Sequence, residues 1–519
     1  MPRRVAVVGF GPKALFALDH LARAAADADL ELEVAVFEPH PVVGAGPVYD
    51  PRQPRCLRMN FASKHVDAGG GAPPFVEWAR RHDPEAADPE GFAPRASVGA
   101  YLHVAALQVL DRLRERGSVA LHPRRAARVH TRGDQWIVDG SDGRRVVADE
   151  VLIATGHGSR RIDADRRPEA DGGVYPVARE LSSSRVPPGS SVAIRGMGLT
   201  ALDAVVVLSR RPAELRPDRL LLFSRTGRPM LPKLAPAARA ADADEIVDPA
   251  RGAMAQAGSV RELVRALLQG ASDLLRTMGR HPHAAASVLH VLMTSARRSA
   301  RRPLPRTALR RGIAIARGER CWDAERALGE AWRTLYPTVV DWHGRHAFSR
   351  RERSTFRRLC RELERLAFGP PIEVAETLMR GVDEGWVDLS VAVDPVLESD
   401  GSGWSLRSDG HRRDADRLVD AVLVGPGIAP SPSPLFRALL RAGHVRVQDG
   451  WNGAEVMGDA TAIGSDGTPT SGLAVIGRPT EGSVLGNDTL DRSLHPHASA
   501  WADRVVARAL PIRPELQPT

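Results

Sequence analysis

The most regular hydrophobic pattern in the chain is a βαβ unit at its start. Residues 4–8 are almost entirely apolar, which predicts a strand buried on both faces. A glycine turn beginning at Gly9 leads into an amphipathic helix over residues 14–25. Residues 33–37 predict a second buried strand, and Glu38 follows at its end.

The same pattern recurs near residue 190. Residues 191–194 predict a strand, Gly196 begins a second glycine turn, and a helix continues through residues 203–209. Residues 220–223 predict the next strand. The chain therefore contains two βαβ units of the same design.

Each unit is followed by short strands and then by a closing apolar strand. The short strands are predicted at 128–131, 135–139 and 145–148, and again at 387–391 and 404–406. Residues 149–156 and 420–427 both contain an acidic residue, an apolar strand and a glycine. Between the two sets, residues 236–384 have a helical, arginine-rich pattern without strands. This internal repeat is the main sign of how the chain is organised.

Composition narrows the class of protein. With 519 residues, 43% hydrophobic and 26% charged, the chain has the size of about three globular domains. No apolar stretch is long enough for a membrane helix and the start is too short for a secretory signal, so we expect a soluble, cytoplasmic protein without a membrane partner. The three widely spaced cysteines predict no disulfide framework, metal site or redox pair. Only three of the 72 basic residues are lysines, so we attribute the net charge of +9 to arginine-rich coding and expect no nucleic-acid partner.

The first glycine turn has the pattern G-x-G-x-x-A between a strand and a helix. Gly9 allows the tight turn, Gly11 lets the backbone approach a pyrophosphate, and Ala14 permits close helix–strand packing. The helix N-terminus supplies partial positive charge, and Glu38 can accept a hydrogen bond from a ribose hydroxyl. These features together predict a dinucleotide site.

The second glycine turn, with Gly196 and Gly198, ends differently. Its second strand is followed by Arg225 instead of an acid. An arginine can pair with a 2′-phosphate, which favours NADPH over NADH. The alternative is that Arg225 is one more surface arginine.

Two nucleotide folds in one chain are typical of flavoproteins that hold FAD in one fold and receive a hydride from NAD(P)H in the other. We predict an α/β fold with two Rossmann-like domains and a helical insertion in the second. The FAD domain comprises residues 1–160 and 425–519, and the NAD(P) domain comprises residues 161–424 with the insert at about 236–384. Residues 473–476 predict the final strand, after which Gly477 lets the backbone approach the flavin. Gly458 and Asp459 are an alternative anchor.

The chain resembles bacterial, particularly actinobacterial, FAD/NAD(P)-binding proteins that are distantly similar to N-hydroxylating flavin monooxygenases. The likeness lies in residues 7–12, 44–49, 57–60, 94–102, 154–157, 196–203 and 476–482. It implies FAD and NAD(P)H as cofactors. Within these segments it adds further candidate cofactor-binding residues, namely Pro12, Asn60, Thr155, Gly156, Thr200, Thr480 and Glu481. The substrates of the relatives are not carried over.

A hydroxylating flavoenzyme needs no protein nucleophile, because the protein excludes water and holds the substrate. Lys64 and His65 are candidate catalytic residues that could polarise the activated oxygen or bind substrate, although an exposed Lys-His pair is the alternative. Two arginine runs, at 297–317 and 350–361, could bind an acidic substrate or the NADPH phosphates, or could be solvated helix faces. Tryptophans 322, 332 and 342 are expected in the core.

The favoured function is an NAD(P)H-dependent FAD monooxygenase that hydroxylates or N-oxygenates a small metabolite. An acidic compound or amino acid is a candidate substrate, and molecular oxygen is the second one. The alternatives are a flavin reductase or oxidase that inserts no oxygen, or a flavin-binding redox sensor or partner protein without turnover. The sequence does not indicate an oligomeric state.

Overall fold

The chain forms two compact units. The computed structural model describes residues 2–156, 177–294, 304–423, 427–429 and 433–510. The first unit comprises Met1–Arg52, Ala62–Arg160 and Val424–Thr519, and the second comprises Gln53–Phe61 and Arg161–Leu423. Residues 53–61, which the sequence analysis assigns to the FAD domain, pack with the second unit.

The N-terminal part of the first unit has seven strands and three helices. The strands are β1 (Arg3–Val8), β2 (Leu32–Phe37), β3 (Gly117–His122), β4 (Ala126–Arg132), β5 (Gln135–Gly140), β6 (Arg145–Ala148) and β7 (Glu150–Ile153). The helices are α1 (Pro12–Asp27), α2 (Phe75–His82) and α3 (Arg95–Arg114).

The second unit follows in the chain. Its helices are α4 (Val177–Glu180), α5 (Leu199–Ser209), α6 (Ala243–Ile246), α7 (Asp248–Ala255), α8 (Val260–Thr277), α9 (Ala284–Thr294), α10 (Pro305–Ala316), α11 (Ala324–Arg345), α12 (Arg350–Ala367) and α13 (Ile372–Glu384). Its strands are β8 (Ser191–Arg195), β9 (Arg219–Phe223), β10 (Val387–Asp388), β11 (Val396–Ser399), β12 (Trp404–Ser408), β13 (His411–Ala415) and β14 (Arg417–Asp420).

The chain then returns to the first unit with α14 (Pro434–Arg441), β15 (Thr461–Ile463), β16 (Pro469–Val475) and α15 (His497–Ala507). The main sheet has the order β15-β16-β7-β1-β2-β3, and all its neighbours are parallel except β15 and β16. Strands β4, β5 and β6 form a separate antiparallel sheet. The apolar residues of β1 and β7 are buried, as their unbroken apolar runs predict.

The second unit has a parallel sheet in the order β10-β9-β8-β14 and an antiparallel sheet formed by β11, β12 and β13. The predicted meander strand at 387–391 is therefore shorter than expected, and it joins the parallel sheet. The helical prediction for 236–384 is confirmed by α6 to α13 over residues 236–294 and 304–384, and residues 295–303, with part of the first arginine run, lie outside the described residues. All three tryptophans of this region are buried, as expected. No helix in the described ranges has both the length and the apolar character needed to cross a membrane.

The two βαβ units have the same backbone hydrogen bond at the glycine turn. Their closing strands, β7 and β14, do not lie at the positions that the sequence repeat predicts. Gly9 N donates to Phe37 O at 2.9 Å, and Gly196 N donates to Phe223 O at 2.8 Å. The sequence repeat, which matches residues 149–156 with 420–427, predicts the closing strand after Asp420, yet the strand equivalent to β7 is β14 at Arg417–Asp420. The apolar residues after β14 lie beyond the strand, where Val422 is 48% exposed.

The sequence analysis misses β3, the edge strand of the main sheet. Most of its residues are exposed, so it has no buried apolar run to reveal it. Its pairing with β2 depends on the preceding helix, α3, which brings the chain back to that edge.

Candidate nucleotide-binding sites

The first glycine turn lies at the carboxyl end of β1 and begins α1. Gly9 has φ +91°, and a Cβ atom there would lie 2.6 Å from the carbonyl oxygen of Ala154, so only glycine fits. Gly11 is the N-cap of α1, and no atom lies within 4 Å of where its Cβ would be. Pro12 begins the helix and Ala14 is fully buried. The open space at Gly11, beside the free N–H groups of a helix N-terminus, fits a pyrophosphate.

Glu38 is held at the end of β2 by two backbone hydrogen bonds. Its Oε2 accepts from Phe10 N at 2.6 Å, and its Oε1 accepts from His40 N at 2.7 Å. The carboxylate therefore also stabilises the glycine turn, a role that was not predicted from the sequence. Because each carboxylate oxygen can accept more than one hydrogen bond, the predicted contact with a ribose hydroxyl stays compatible with these bonds.

The segment after β16 turns back toward α1. Gly477 has φ +73°, and a Cβ there would lie 3.3 Å from Cγ of Lys13. Thr480 is buried, and its hydroxyl donates to Gly477 O at 2.8 Å, so its side chain shapes this turn. Burial raises the pKa of Glu481 to about 7, although Arg478 Nη1 lies 3.2 Å from its Oε2. Both predicted residues thus lie on the loop next to the first helix.

Three titratable residues that the sequence analysis misses lie in the same place. Burial lowers the pKa of Lys13 to about 8. Burial and the charge of Lys13 lower the pKa of His495 to about 4, and they also lower the pKa of His497. The only early signal for this cluster is that Lys13 is one of three lysines in a chain that otherwise uses arginine.

Several buried polar atoms of this segment have no hydrogen-bond partner in the described structure. They are Ser483 Oγ, Asn487 Oδ1, His495 Nε2 and His497 Nδ1. Asn487 is 3% exposed, and only its amide nitrogen is engaged, donating to Val484 O at 3.0 Å. Leaving buried donors and acceptors unpaired is costly. A polar group bound here would satisfy them, so the residues around the first glycine turn fit a large polar cofactor such as FAD.

Four other predicted residues of the flavin side lie at different places. Thr155 and Gly156 follow β7 and are exposed, and no atom lies within 4 Å of a Cβ built at Gly156. Lys64 and His65 lie on an exposed turn of the first unit, where Lys64 pairs with Glu90. Both side chains are exposed, as in the alternative of an exposed Lys-His pair, and their catalytic role stays a prediction.

Asn60 belongs to the second unit. Its Nδ2 donates to the carbonyl oxygen of Phe368 at 3.2 Å. The side chain therefore has a structural partner within that unit, and its assignment to the cofactor stays a prediction. The alternative anchor residue Asp459 also has structural partners, since it accepts from Thr461 N and pairs with Arg504.

The second glycine turn repeats the first. Gly196 has φ +130°, and its Cβ would lie 3.3 Å from the backbone of Ala421. Gly198 is the N-cap of α5 and is open at its Cβ position, and Thr200 lies in the first turn of that helix. Arg225 is exposed just after β9, which neighbours the strand that carries the turn. The arrangement offers helix N–H groups and a cation at the same edge of the sheet.

The N-terminal region that contains the first glycine turn is similar to a known family. Residues 6–158 match the model of an FAD-NAD(P)-binding family. This match confirms a dinucleotide-binding domain at the start of the chain. No curated protein matches the sequence.

Solved structures share the fold over nearly the whole chain. The ornithine N-hydroxylase of Kutzneria sp. 744, whose structure contains reduced FAD, NADP+ and L-ornithine, has a TM-score of 0.54 at 16% identity. The ornithine hydroxylase of Pseudomonas aeruginosa has a TM-score of 0.56 at 13% identity, and the L-lysine 6-monooxygenase of Pseudomonas syringae has 0.53 at 13%. Each comparison covers 98% of this chain and 100% of the other. The predicted fold class and the distant similarity to N-hydroxylating monooxygenases are thereby confirmed.

Proposed function

We propose that this protein is an FAD-dependent monooxygenase that is reduced by NADPH and oxygenates a small metabolite. The observation that carries the proposal is the pair of complete strand–glycine turn–helix units, each with an open N-cap glycine, Gly11 and Gly198. The fold shared with ornithine and lysine hydroxylases supports oxygenation over simple reduction. We favour a substrate that carries both an amine and a carboxylate. This class includes the acidic and amino-acid substrates predicted from the sequence.

FAD would be held in the first unit. Gly11 and the first turn of α1 would bind its pyrophosphate, Glu38 its ribose, and the unpaired atoms of Asn487 and His497 other polar groups. When bound, FAD supplies hydride acceptance from NADPH and the activation of molecular oxygen. The second glycine turn, with Thr200 and Arg225, would hold NADPH.

The protein itself excludes water from the site and supplies side chains that can bind or release a proton near neutral pH. Lys13 Nζ and the Glu481 carboxylate have pKa values of about 8 and 7, so both can gain or lose a proton near neutral pH. An exposed lysine or glutamate could not do so, because its ordinary pKa lies far from 7. We infer that these two groups buffer the charge that develops beside the cofactor.

The proposal is tested by the visible absorption spectrum of the purified protein during anaerobic addition of NADPH. An oxidised-flavin band that NADPH bleaches supports it. Absence of a flavin band after reconstitution with FAD contradicts it.

The second measurement separates oxygenation from the alternatives. The reduced protein is mixed with oxygen in the presence of amino acids and small amines, and oxygenated product is compared with hydrogen peroxide. Product formation supports a monooxygenase. Peroxide alone with every compound favours an oxidase, and no NADPH oxidation above background favours a redox partner protein.

A further inference from the structure

The loop that follows β9 is bound to the insert helix α12. Arg228 Nη1 lies 3.0 Å from Oε2 of Glu362, and Arg365 Nη1 donates to Pro229 O at 3.1 Å. Leu231 N also donates to Arg365 O at 3.2 Å. These contacts hold residues 228–231 against the C-terminal half of α12, within the second unit.

The same contacts bring Arg225 and Arg361 into one region of the second unit. Arg225 precedes the bound loop by three residues, and Arg361 lies directly before Glu362 and one turn before Arg365. Burial lowers the pKa of Arg361, and the nearby charges of Arg225 and Arg357 lower it further. The positive charges of Arg225 and Arg361 therefore disfavour each other.

Glu362 only partly offsets this repulsion, since its charge raises the pKa of Arg361 while the charges of Arg225 and Arg357 lower it. Glu362 is engaged by Arg228 and Arg365, and Glu325 is engaged by Arg228 and Arg311. Neither Arg225 nor Arg361 forms an ion pair within the described residues. Adjacent like charges without a counter-ion are unfavourable, and a bound anion would remove that cost.

The position of this pair matches one part of NADPH. Arg225 follows the second strand of the βαβ unit, where the 2′-position of an adenosine ribose is recognised in such folds. A phosphate monoester carries close to two negative charges at neutral pH and presents several acceptor oxygens. Two guanidinium groups can satisfy it with charge-assisted hydrogen bonds from two sides.

We propose that Arg361, supplied by the helical insert, binds the 2′-phosphate of NADPH together with Arg225 and is a specificity-determining residue. This inference rests on the proposed function. It assigns nucleotide selection to Arg361, the last member of the second arginine run, and not to the run as a whole. NADH offers no phosphate to the two arginines, so the preference for NADPH comes from the added attraction of the 2′-phosphate.

The test measures the binding of NADP+ and NAD+ to the purified, FAD-loaded protein by calorimetry. The variants are Arg361→Gln, Arg225→Gln and the combination. The matched control is Arg351→Gln, which removes the same charge from an exposed site on the same helix, about 15 Å away along its axis. Arg361→Lys keeps the charge without the planar group.

We expect Arg361→Gln to weaken NADP+ binding by about 10- to 100-fold, because a charged hydrogen-bonding group is lost. NAD+ binding should change by less than about twofold, since NAD+ has no 2′-phosphate. The combined variant should bind the two nucleotides equally, Arg361→Lys should restore part of the preference, and Arg351→Gln should resemble the unmodified protein.

The inference is overturned if Arg361→Gln keeps the preference for NADP+, if it weakens both nucleotides equally, or if Arg351→Gln has the same effect. Because Arg361 has no ion-pair partner among the described residues and is repelled by Arg225, its removal should not lower the thermal midpoint, and a midpoint that is not lowered excludes misfolding. An unmodified protein that binds neither nucleotide contradicts the proposed function instead. The two failures are therefore distinguishable.

Discussion

Lys13 gives the sharpest physical test of the first nucleotide site. Burial lowers its pKa to about 8, whereas an ordinary lysine has a pKa of about 10.4. The difference corresponds to about 3 kcal/mol against the charged amine in the folded protein. At pH 7.5 about a quarter of the Lys13 side chains would be neutral.

The sign of the effect on stability follows from proton binding. Below pH 8 the folded and unfolded chains both carry the proton, and the cost of the buried charge is fully present. Between pH 8 and about 10.4 the folded chain loses the proton first, so the cost disappears and stability rises with pH. Replacing Lys13 by methionine should therefore raise the thermal midpoint at pH 7 more than at pH 10.

The assay uses the fact that the chain has only three lysines. Lysine labelled with carbon-13 at Cε should give three signals, which Lys13→Met, Lys64→Met and Lys233→Met assign. The signals of Lys13 and Lys233 should titrate near pH 8, because burial lowers the pKa of both. FAD should move the Lys13 signal to higher pH, since a nearby anion stabilises the ammonium.

Two results would refute this reasoning. If the Lys13 signal titrates near pH 10.4 in the protein without FAD, the amine is not desolvated. If FAD binds but leaves the titration of Lys13 unchanged, the amine lies away from the charged part of the cofactor. The Lys233 signal is the matched control, because that residue belongs to the second unit.

Four other substitutions test particular parts of the fold and site. Gly9→Ala should lower the thermal midpoint, since its Cβ would overlap Ala154 O, whereas Gly11→Ala should leave the midpoint of the apoprotein unchanged and weaken FAD binding measured by flavin fluorescence. Glu150→Gln should destabilise the first unit by about 3 kcal/mol in thermal unfolding, because its buried carboxylate binds a guanidinium. Lys64→Ala should change coupled NADPH oxidation by less than about twofold if Lys64 forms only an exposed ion pair, since such pairs contribute little; a larger loss would support its predicted catalytic role.

The local features of both nucleotide folds could be predicted from the sequence. The predicted strand at 4–8 is Arg3–Val8 in the structure, and the predicted strand at 220–223 is Arg219–Phe223. Unbroken apolar runs and glycine turns depend on neighbouring residues only, so they are readable without tertiary contacts. The glycines at positions 9 and 196 were identified for the same reason.

The residues that complete each site could not be predicted from the sequence. Nothing in the sequence near His495 or His497 shows that they face Lys13, which lies more than 480 residues earlier in the chain. Arg361 belongs to a run of arginines on a helix, and only the contacts between α12 and the loop after β9 distinguish it from its neighbours.

The sequence by itself determined that the chain has two βαβ units, a helical insert and a late return to the first fold, because hydrophobic periodicity and turn residues are local signals. The tertiary structure decided which strand residues pair in β14, where residues 53–61 pack, and which charged side chains meet at each glycine turn. Such pairings depend on how distant segments approach, and a one-residue slip of a strand moves its side chains to the other face. The local pattern is compatible with several registers, and only packing selects one.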